Sequence, residues 1–223
     1  RRDIFERGDP DMTGGGTVEI VTLENVIWAD PPEREEAGSP NTVGAVALAA
    51  ALRQLSQVGM EAVAAHEAEL TAYALDRLNR MPEVRIFGDR NPEHAAHRLG
   101  VIPLELTTTH HFLASAILGY EFGIGVRSGC FCAHPYILHL LGLSHEEAAR
   151  VREDILSGDR SNMPGLIRAS FGLYNTLEDV DILIDALARI AKGDYQGQYV
   201  QDRASGEYTP VGWEPAYAQY FRL

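Results

Sequence analysis

Three short stretches of this chain carry side chains whose types and spacing suit chemistry. The first is Arg127-Ser-Gly-Cys-Phe-Cys-Ala-His-Pro135. It leaves a β-leaning run through a glycine and enters a helix near Pro135, which sets its cysteines just ahead of a helix N-terminus. The positive end of a helix favours an anion, and thiolate is the nucleophilic form of cysteine. Arg127 adds to that field. Two other readings of the same residues stand beside this one. Both thiols can serve as small buried hydrophobes, the usual fate of free cysteine. Alternatively Cys130, Cys132, His134 and His139 offer four soft metal ligands, although Cys-x-Cys-x-His is not a common zinc-knuckle spacing.

The second stretch is Leu166-Ile-Arg168-Ala-Ser-Phe-Gly-Leu-Tyr-Asn-Thr176. An arginine inside an otherwise apolar strand is costly unless its fork meets a carboxylate or phosphate. Either a buried salt bridge or a substrate carboxylate satisfies it. The third is Glu35-Glu-Ala-Gly38-Ser39-Pro40-Asn41-Thr42, at the mouth of a helix. Ser39, Asn41 or Thr42 can act as plain N-cap. A Gly-Ser turn opening a helix also presents N–H groups and a hydroxyl suited to phosphate.

The elements that must hold these residues follow from pattern. Residues 1–42 are rich in turns (Gly14-Gly15-Gly16, Pro31-Pro32), with one apolar β-leaning run at Thr17–Leu23. An Ala- and Leu-rich helix is predicted over Val43–Val58 and is stopped by Gly59. A second runs from Met60 to about Met81, where Pro82 forbids continuation, and puts Val63, Leu70, Ala74 and Leu78 on one face. Strands and helices then alternate. Strands are expected at Val84–Phe87, Leu99–Leu106, Ile124–Arg127 and Leu166–Phe171, and helices at His111–Phe122 and Ala133–Leu141. Ser144-His-Glu-Glu147 is a capping-box pattern, and Thr176 caps a final helix to Lys192 whose charges match the helix dipole. The expected organisation is a trailing segment over 1–42, connecting helices over 43–82, a small two-layer α/β domain over 83–193, and an aromatic-rich tail over 194–223. So many aromatics in that tail (Trp213, Tyr217, Tyr220, Phe221) point to docking on a surface.

Composition narrows the function classes. Hydrophobic residues make up 45% of the 223 and charged residues 23%, as in ordinary globular proteins. A formal charge of −13 opposes a nucleic-acid surface and docking on anionic lipid. No apolar run approaches the roughly 20 residues needed to cross a bilayer. Two cysteines at i and i+2 make no disulfide framework and suit a reducing cytoplasm.

Taken together, the three stretches resemble the C-terminal portion of class V, fold type I, pyridoxal-phosphate enzymes, in the cysteine desulfurase and selenocysteine lyase branch. The resemblance runs from about Arg1 to Lys192. It is carried by Gly14-Gly15-Gly16, Glu36-Ala-Gly-Ser-Pro-Asn-Thr42, Val126-Arg-Ser-Gly129 with Cys132-Ala-His-Pro135, and Arg168-Ala-Ser-Phe-Gly-Leu-Tyr-Asn-Thr176. The fold it implies is the α/β C-terminal small domain of such a transferase, behind long connecting helices. It implies Cys132 as the sulfur-accepting nucleophile and Arg168 as the partner of the substrate α-carboxylate. Gly38 and Ser39 fall where the cofactor phosphate of a neighbouring subunit is held, which implies a homodimer with a shared active site. The implied reaction is C–S cleavage of cysteine with a persulfide left on Cys132, an amino-acid substrate, and a sulfur-acceptor protein as partner. No metal is implied.

Two features depart from that pattern. Cys130 is extra, and Gly-Cys-Phe-Cys looks more like the molybdenum-cofactor sulfurase side of the family; the alternatives for it are to resolve the persulfide, to accept it, or to have no role. The segment 139–164 is longer than the pattern and would cover the site or alter acceptor choice. The family's Schiff-base lysine is missing too, since Lys192 is the only lysine and ends a helix. The expectation is therefore a fragment of a longer enzyme, inactive by itself. The alternatives are a class V aminotransferase or epimerase without a catalytic thiol, and a non-catalytic dimerisation or metal-binding module.

Overall fold

The computed structural model describes residues 2–5 and 8–217. Contacts divide the chain into two compact units, Arg1–Met60 and Glu61–Leu223.

The first unit holds a short helix, α1 (Arg2–Phe5), a hairpin of β1 (Val18–Val21) and β2 (Val26–Trp28), and the helix α2 (Thr42–Val58). The apolar run after the glycines is thus a strand, shorter than Thr17–Leu23. Its antiparallel partner was not anticipated, because a three-residue strand carries too little periodicity to read. Buried Thr17 closes the Gly14–Gly16 loop by donating its hydroxyl to Gly14 O (2.7 Å) while accepting from Gly14 N. That loop lies against the Glu36–Gly38 turn, where Gly38 N donates to Gly15 O (2.8 Å). A Cβ on Gly14 would sit 3.4 Å from Ala37 Cβ. Two motifs far apart in the sequence are therefore one structure. The α2 helix is capped by Asn41, whose side chain accepts from Gly44 N (2.8 Å), and no residue of α2 is buried.

The second unit is a mixed α/β body. Its helices are α3 (Met60–Leu78, beginning at the unit boundary), α4 (His111–Phe122), α5 (His134–Leu141), α6 (His145–Leu156) and α7 (Leu177–Ala191). Its main sheet is built from β3 (Val84–Ile86), β4 (Val101–Leu106), β5 (Arg127–Gly129) and β6 (Leu166–Ser170). All pairings are antiparallel, in the order β3-β4-β6-β5. Period-two alternation along β4 buries Ile102, Leu104 and Leu106 on one face. Ile167 and Ala169 join them from β6, and α3, α4 and α7 cover that face with Leu70, Ala74, Leu75, Ala114, Ile117, Val180 and Leu187. The anticipated α3 stripe, Val63, Leu70, Ala74 and Leu78, is buried throughout. Both capping boxes form, Ser144 with Glu147 and Thr176 with Asp179.

The sequence reading needs correction at one strand. The β-branched run Ile124–Val126 does not pair; β5 begins at Arg127 and runs to Gly129. Ile124 and Val126 instead pack on the core as connecting chain. Partner geometry, not propensity, decided this, since β6 supplies ladder groups only opposite residues 127–129. Elsewhere the ends shift by one to three residues: α3 stops at Leu78 and α7 at Ala191, with Lys192 as its cap.

The tail does dock. It forms β7 (Tyr199–Gln201) and β8 (Tyr208–Pro210), a hairpin beside α4. Tyr120 meets the Trp213 ring edge-on at 5.2 Å, and the Glu121 carboxylate accepts from Gln196 N, Gly197 N and Tyr199 Oη. Tyr220 and Phe221 lie outside the described residues.

Candidate active site

Arg168 sits in the middle of β6, between Ile167 and Ala169, which face the helices. It therefore points to the opposite face of the sheet, where a smaller cluster of Phe87, Cys130, Ile137 and Leu166 is buried. Its direct cross-strand partner is Arg127. Residues directly opposite in an antiparallel pair share a face, and like charges placed so are destabilising. Neither guanidinium has a carboxylate partner among the described residues. Arg168 Nε is buried without a hydrogen-bond partner, and its Cζ lies 5.0 Å from the centre of the Phe131 ring. The internal salt bridge that the sequence left open is absent here. A half-buried guanidinium with a free edge, beside a second one, is a receptor for an anion such as a carboxylate.

After Gly129 the chain turns back sharply. Ala133 N donates to Cys130 O (2.7 Å), closing a four-residue turn over Cys130–Ala133. Its central residues, Phe131 (φ 51°) and Cys132 (φ 59°), are the only non-glycine residues with positive φ among those described. Gly129 enters the turn at φ 99°, which a side chain would not tolerate. Left-handed backbone at two residues with side chains costs on the order of 1–3 kcal/mol each and persists where surroundings impose it. Two things impose it here: the Phe131 ring is held under Arg168, and Cys130 is anchored below. The result separates the cysteines. Cys132 is exposed, whereas Cys130 is 3% exposed and donates its thiol to Pro164 O (3.1 Å). Burial pushes the Cys130 thiol above its ordinary value, so it stays protonated at neutral pH. The first turn of α5, which follows, has no side-chain cap at Ala133, and Pro135 has no N–H, so His134 and Tyr136 carry the uncapped N–H groups beside the Cys132 turn.

A supporting layer was not legible in the sequence. His111 is 7% exposed and donates through Nε2 to Met163 O (2.9 Å), the residue before the carbonyl that anchors Cys130. Burial pushes its imidazole down to about 4, partly opposed by that hydrogen bond, so the ring is neutral at physiological pH. His110 is lowered by burial as well, and caps α4 through Phe112 N. A Cβ on Gly165 would lie 2.5 Å from Gly129 Cα and 2.7 Å from His111 Nε2, so only glycine lets β6 enter beside the cysteine turn. The one available signal was a pair of histidines opening an apolar helix.

The 139–164 segment places α6 against α5. Between them lies an apolar cleft of about 240 Å³ lined by Cys130, His134, Leu138, Val151, Ile155 and Met163. Arg160 and Asp159 tie the far end of the segment to the tail hairpin through Ala204 O and the Arg203 guanidinium. The metal reading does not assemble: among the described residues no three His, Cys, Asp or Glu side chains converge on a metal position.

In the first unit, taken by itself, Asn41 is the N-cap of α2, which settles one of the alternatives above. Ser39 is exposed and its hydroxyl has no hydrogen-bond partner among the described residues. Gly38 holds φ 79°, the conformation that presents the turn to the helix mouth.

Against known proteins the similarity is extensive. A model of the aminotransferase class-V family matches residues 1–183. The chain belongs to that family. Its sequence is similar to a cysteine desulfurase of Serratia proteamaculans, 33% identical over 193 residues, which is 86% of this chain and 41% of that protein. A cysteine desulfurase of Escherichia coli O8 is 36% identical over 188 residues, 84% of this chain and 39% of the relative. Among solved structures, the apo cysteine desulfurase of Thermococcus onnurineus superposes with a TM-score of 0.66 at 33% identity, covering 86% of this chain and 42% of that one. The Escherichia coli cysteine desulfurase CsdA (S-sulfonic acid) gives 0.65 at 27% identity, over 84% of this chain and 40% of that one. This class-V chain therefore spans about two-fifths of the length of the relatives it matches. Its fold is that of fold type I chains of the cysteine desulfurase kind.

Proposed function

We propose that this chain supplies the thiol and the carboxylate receptor of a pyridoxal-phosphate enzyme that takes sulfur from cysteine. The observation that carries the reading is the coupling of Cys132 to Arg168. An exposed thiol stands on a strained turn whose neighbouring ring, Phe131, lies under a guanidinium with no internal partner. Arg168, with Arg127 beside it, would hold the α-carboxylate and so orient the amino acid with its sulfur toward the turn. The Cys132 thiolate attacks that sulfur. The new S–S bond forms as the substrate C–S bond breaks, and the electron pair leaves with the carbon fragment. Protonation of that fragment gives alanine, and the sulfur stays on Cys132 as a persulfide for an acceptor protein to collect. The cofactor, when bound, supplies the electron sink for this chemistry.

The residues present fit two ends of that cofactor chemistry and not its anchor. Gly38 and the unpartnered Ser39 hydroxyl fit a phosphate, contributed across a homodimer whose second copy would also cover the exposed α2. Lys192 does not fit as a Schiff-base lysine. It is an exposed cap on the far end of α7, a helix of 15 residues that starts just after the Arg168 strand. The chain alone is therefore expected not to hold the cofactor covalently.

The test uses the protein that contains this chain, assayed for sulfide and alanine from cysteine. Cys132→Ala should abolish sulfide release, and Arg168→Ala should raise KM for the amino acid at least tenfold. Sulfide release that persists in Cys132→Ala would overturn the thiol mechanism and favour an aminotransferase or epimerase of the same fold.

A further inference from the structure

The reaction proposed above uses Cys132 and leaves Cys130 without a role. Three observations suggest one. The two cysteines flank Phe131 in a single closed turn, and two residues of chain span at most about 7 Å even when fully extended. A folded-back turn shortens that reach into the Cα separation a disulfide accepts, about 4.4–6.8 Å. Their environments are opposed, Cys132 open to reagents and Cys130 shielded, so the same small adduct cannot load both. Finally, Cys130 is held by one weak thiol hydrogen bond to Pro164 O, at the edge of the apolar cleft between α5 and α6. Leaving that position gives up the bond and the packing against Phe87, Ile137 and Leu166, and the adjoining cleft gives those side chains room to adjust.

We propose that Cys130 and Cys132 form a resolving pair, in which Cys130 discharges any sulfur adduct on Cys132 by closing an intrachain disulfide. For a persulfide, Cys130 first leaves its buried position beside Pro164 O, loses its proton to solvent once exposed, and its sulfur then attacks Cys132 Sγ. The bond from Sγ to the outer sulfur breaks, and that sulfur leaves as hydrosulfide. The Cys130 sulfur is oxidised by one electron, the outer sulfur is reduced by one, and Cys132 Sγ, already at the disulfide level, is unchanged. For a mixed disulfide the leaving group is the small thiolate, with the same balance. A low-molecular-weight dithiol restores the pair. The consequence is a limit on storage: sulfur not collected by an acceptor is released, and the site is closed until reduced. Closure also withdraws Cys130 from Pro164 O, which passes the redox state to the 139–164 segment. The persulfide form of this inference rests on the function proposed above; the pairing itself does not.

The test therefore uses a reagent that needs no desulfurase activity. The reduced native chain is treated with dithionitrobenzoate, and both the released chromophore and the mass of the peptide between Arg127 and Arg150 are followed. The wild type should release two equivalents of chromophore per chain and end as a peptide bearing a Cys130–Cys132 disulfide with no adduct. Cys130→Ser, and Cys130→Ala as a second variant, should release one equivalent and keep the adduct on Cys132. Cys132→Ser should react at least tenfold more slowly, because its remaining thiol is buried. A wild-type chain that keeps the adduct on Cys132, or ends with one adduct on each cysteine, would overturn the pairing whatever the variants do. The sulfide assay with Cys132→Ala reports separately on the desulfurase reading, so the two can fail independently.

Discussion

The two compact units of this chain treat apolar residues in opposite ways. In Glu61–Leu223 the helices α3, α4 and α7 and one face of the sheet enclose a single core whose central leucines and isoleucines are wholly buried. In Arg1–Met60 the α2 helix is just as apolar, yet it buries none of its 17 residues, and Val43, Val46, Leu48 and Leu52 are each more than half exposed. The hairpin of β1 and β2 likewise exposes Ile20, Val21 and Ile27. A helix draws most of its stability from packing rather than from propensity. The second unit therefore carries its stability within itself. The first is organised by local devices: the Asn41 cap, the Thr17 closure and the glycine loop against Ala37.

The largest effect should come from the core. Leu104→Ala removes a buried side chain where β4 meets the helices and should cost about 2–5 kcal/mol in urea unfolding; a loss under about 1 kcal/mol would mean the core is not closed. The next comes from His111, in a chain whose first 60 residues contain no histidine. Its folded-state value of about 4 lies below the ordinary 6.5, so the unfolded chain binds the proton more readily. Stability should be full above about pH 6.5 and fall as pH drops toward 4, by on the order of 3 kcal/mol. His110 adds in the same direction. His111→Gln should flatten that slope, and an unchanged slope would place the titration elsewhere. A smaller loss, about 1–3 kcal/mol, is expected for Gly165→Ala, because the new methyl must push Gly129 and His111 aside. The same variant should raise the reactivity of Cys130 toward a thiol reagent. The smallest effect belongs to the first unit: Leu52→Ala on α2 should change the stability of the isolated chain by under about 0.5 kcal/mol. A loss of several kcal/mol that grows with protein concentration would show a second copy on that face.

The site shows a similar division between what was legible and what was not. Cys132 and Arg168 could be singled out because each breaks a local rule, a thiol ahead of a helix and a charge inside an apolar strand. Their relation could not be read. It depends on β5 pairing from Arg127 rather than from Ile124, which sets Arg127 opposite Arg168. The split of the cysteines into one exposed and one buried depends on two positive-φ residues and on the carbonyl of Pro164, 34 positions away. His111 left no mark in the sequence beyond an adjacent histidine, because its role is fixed by a backbone carbonyl 52 residues on.

By itself the sequence determined the local grammar of this protein. Helix caps at Ser144 and Thr176, a cap for α2 among Ser39, Asn41 and Thr42, the glycine and proline stops, and the alternation of strands and helices all follow from interactions within a few residues. It also carried the motifs that class-V relatives share. Tertiary structure alone decided which strand segments pair, which arginine is left without a counter-charge, and which cysteine faces water. Those outcomes are set by partners distant in the chain, whose hydrogen bonds and packing override weak local preference. The turn at Cys130–Ala133 shows this most directly. Propensity disfavours left-handed Phe131 and Cys132, yet an arginine from β6 and a carbonyl from the loop that leads into that strand hold them there.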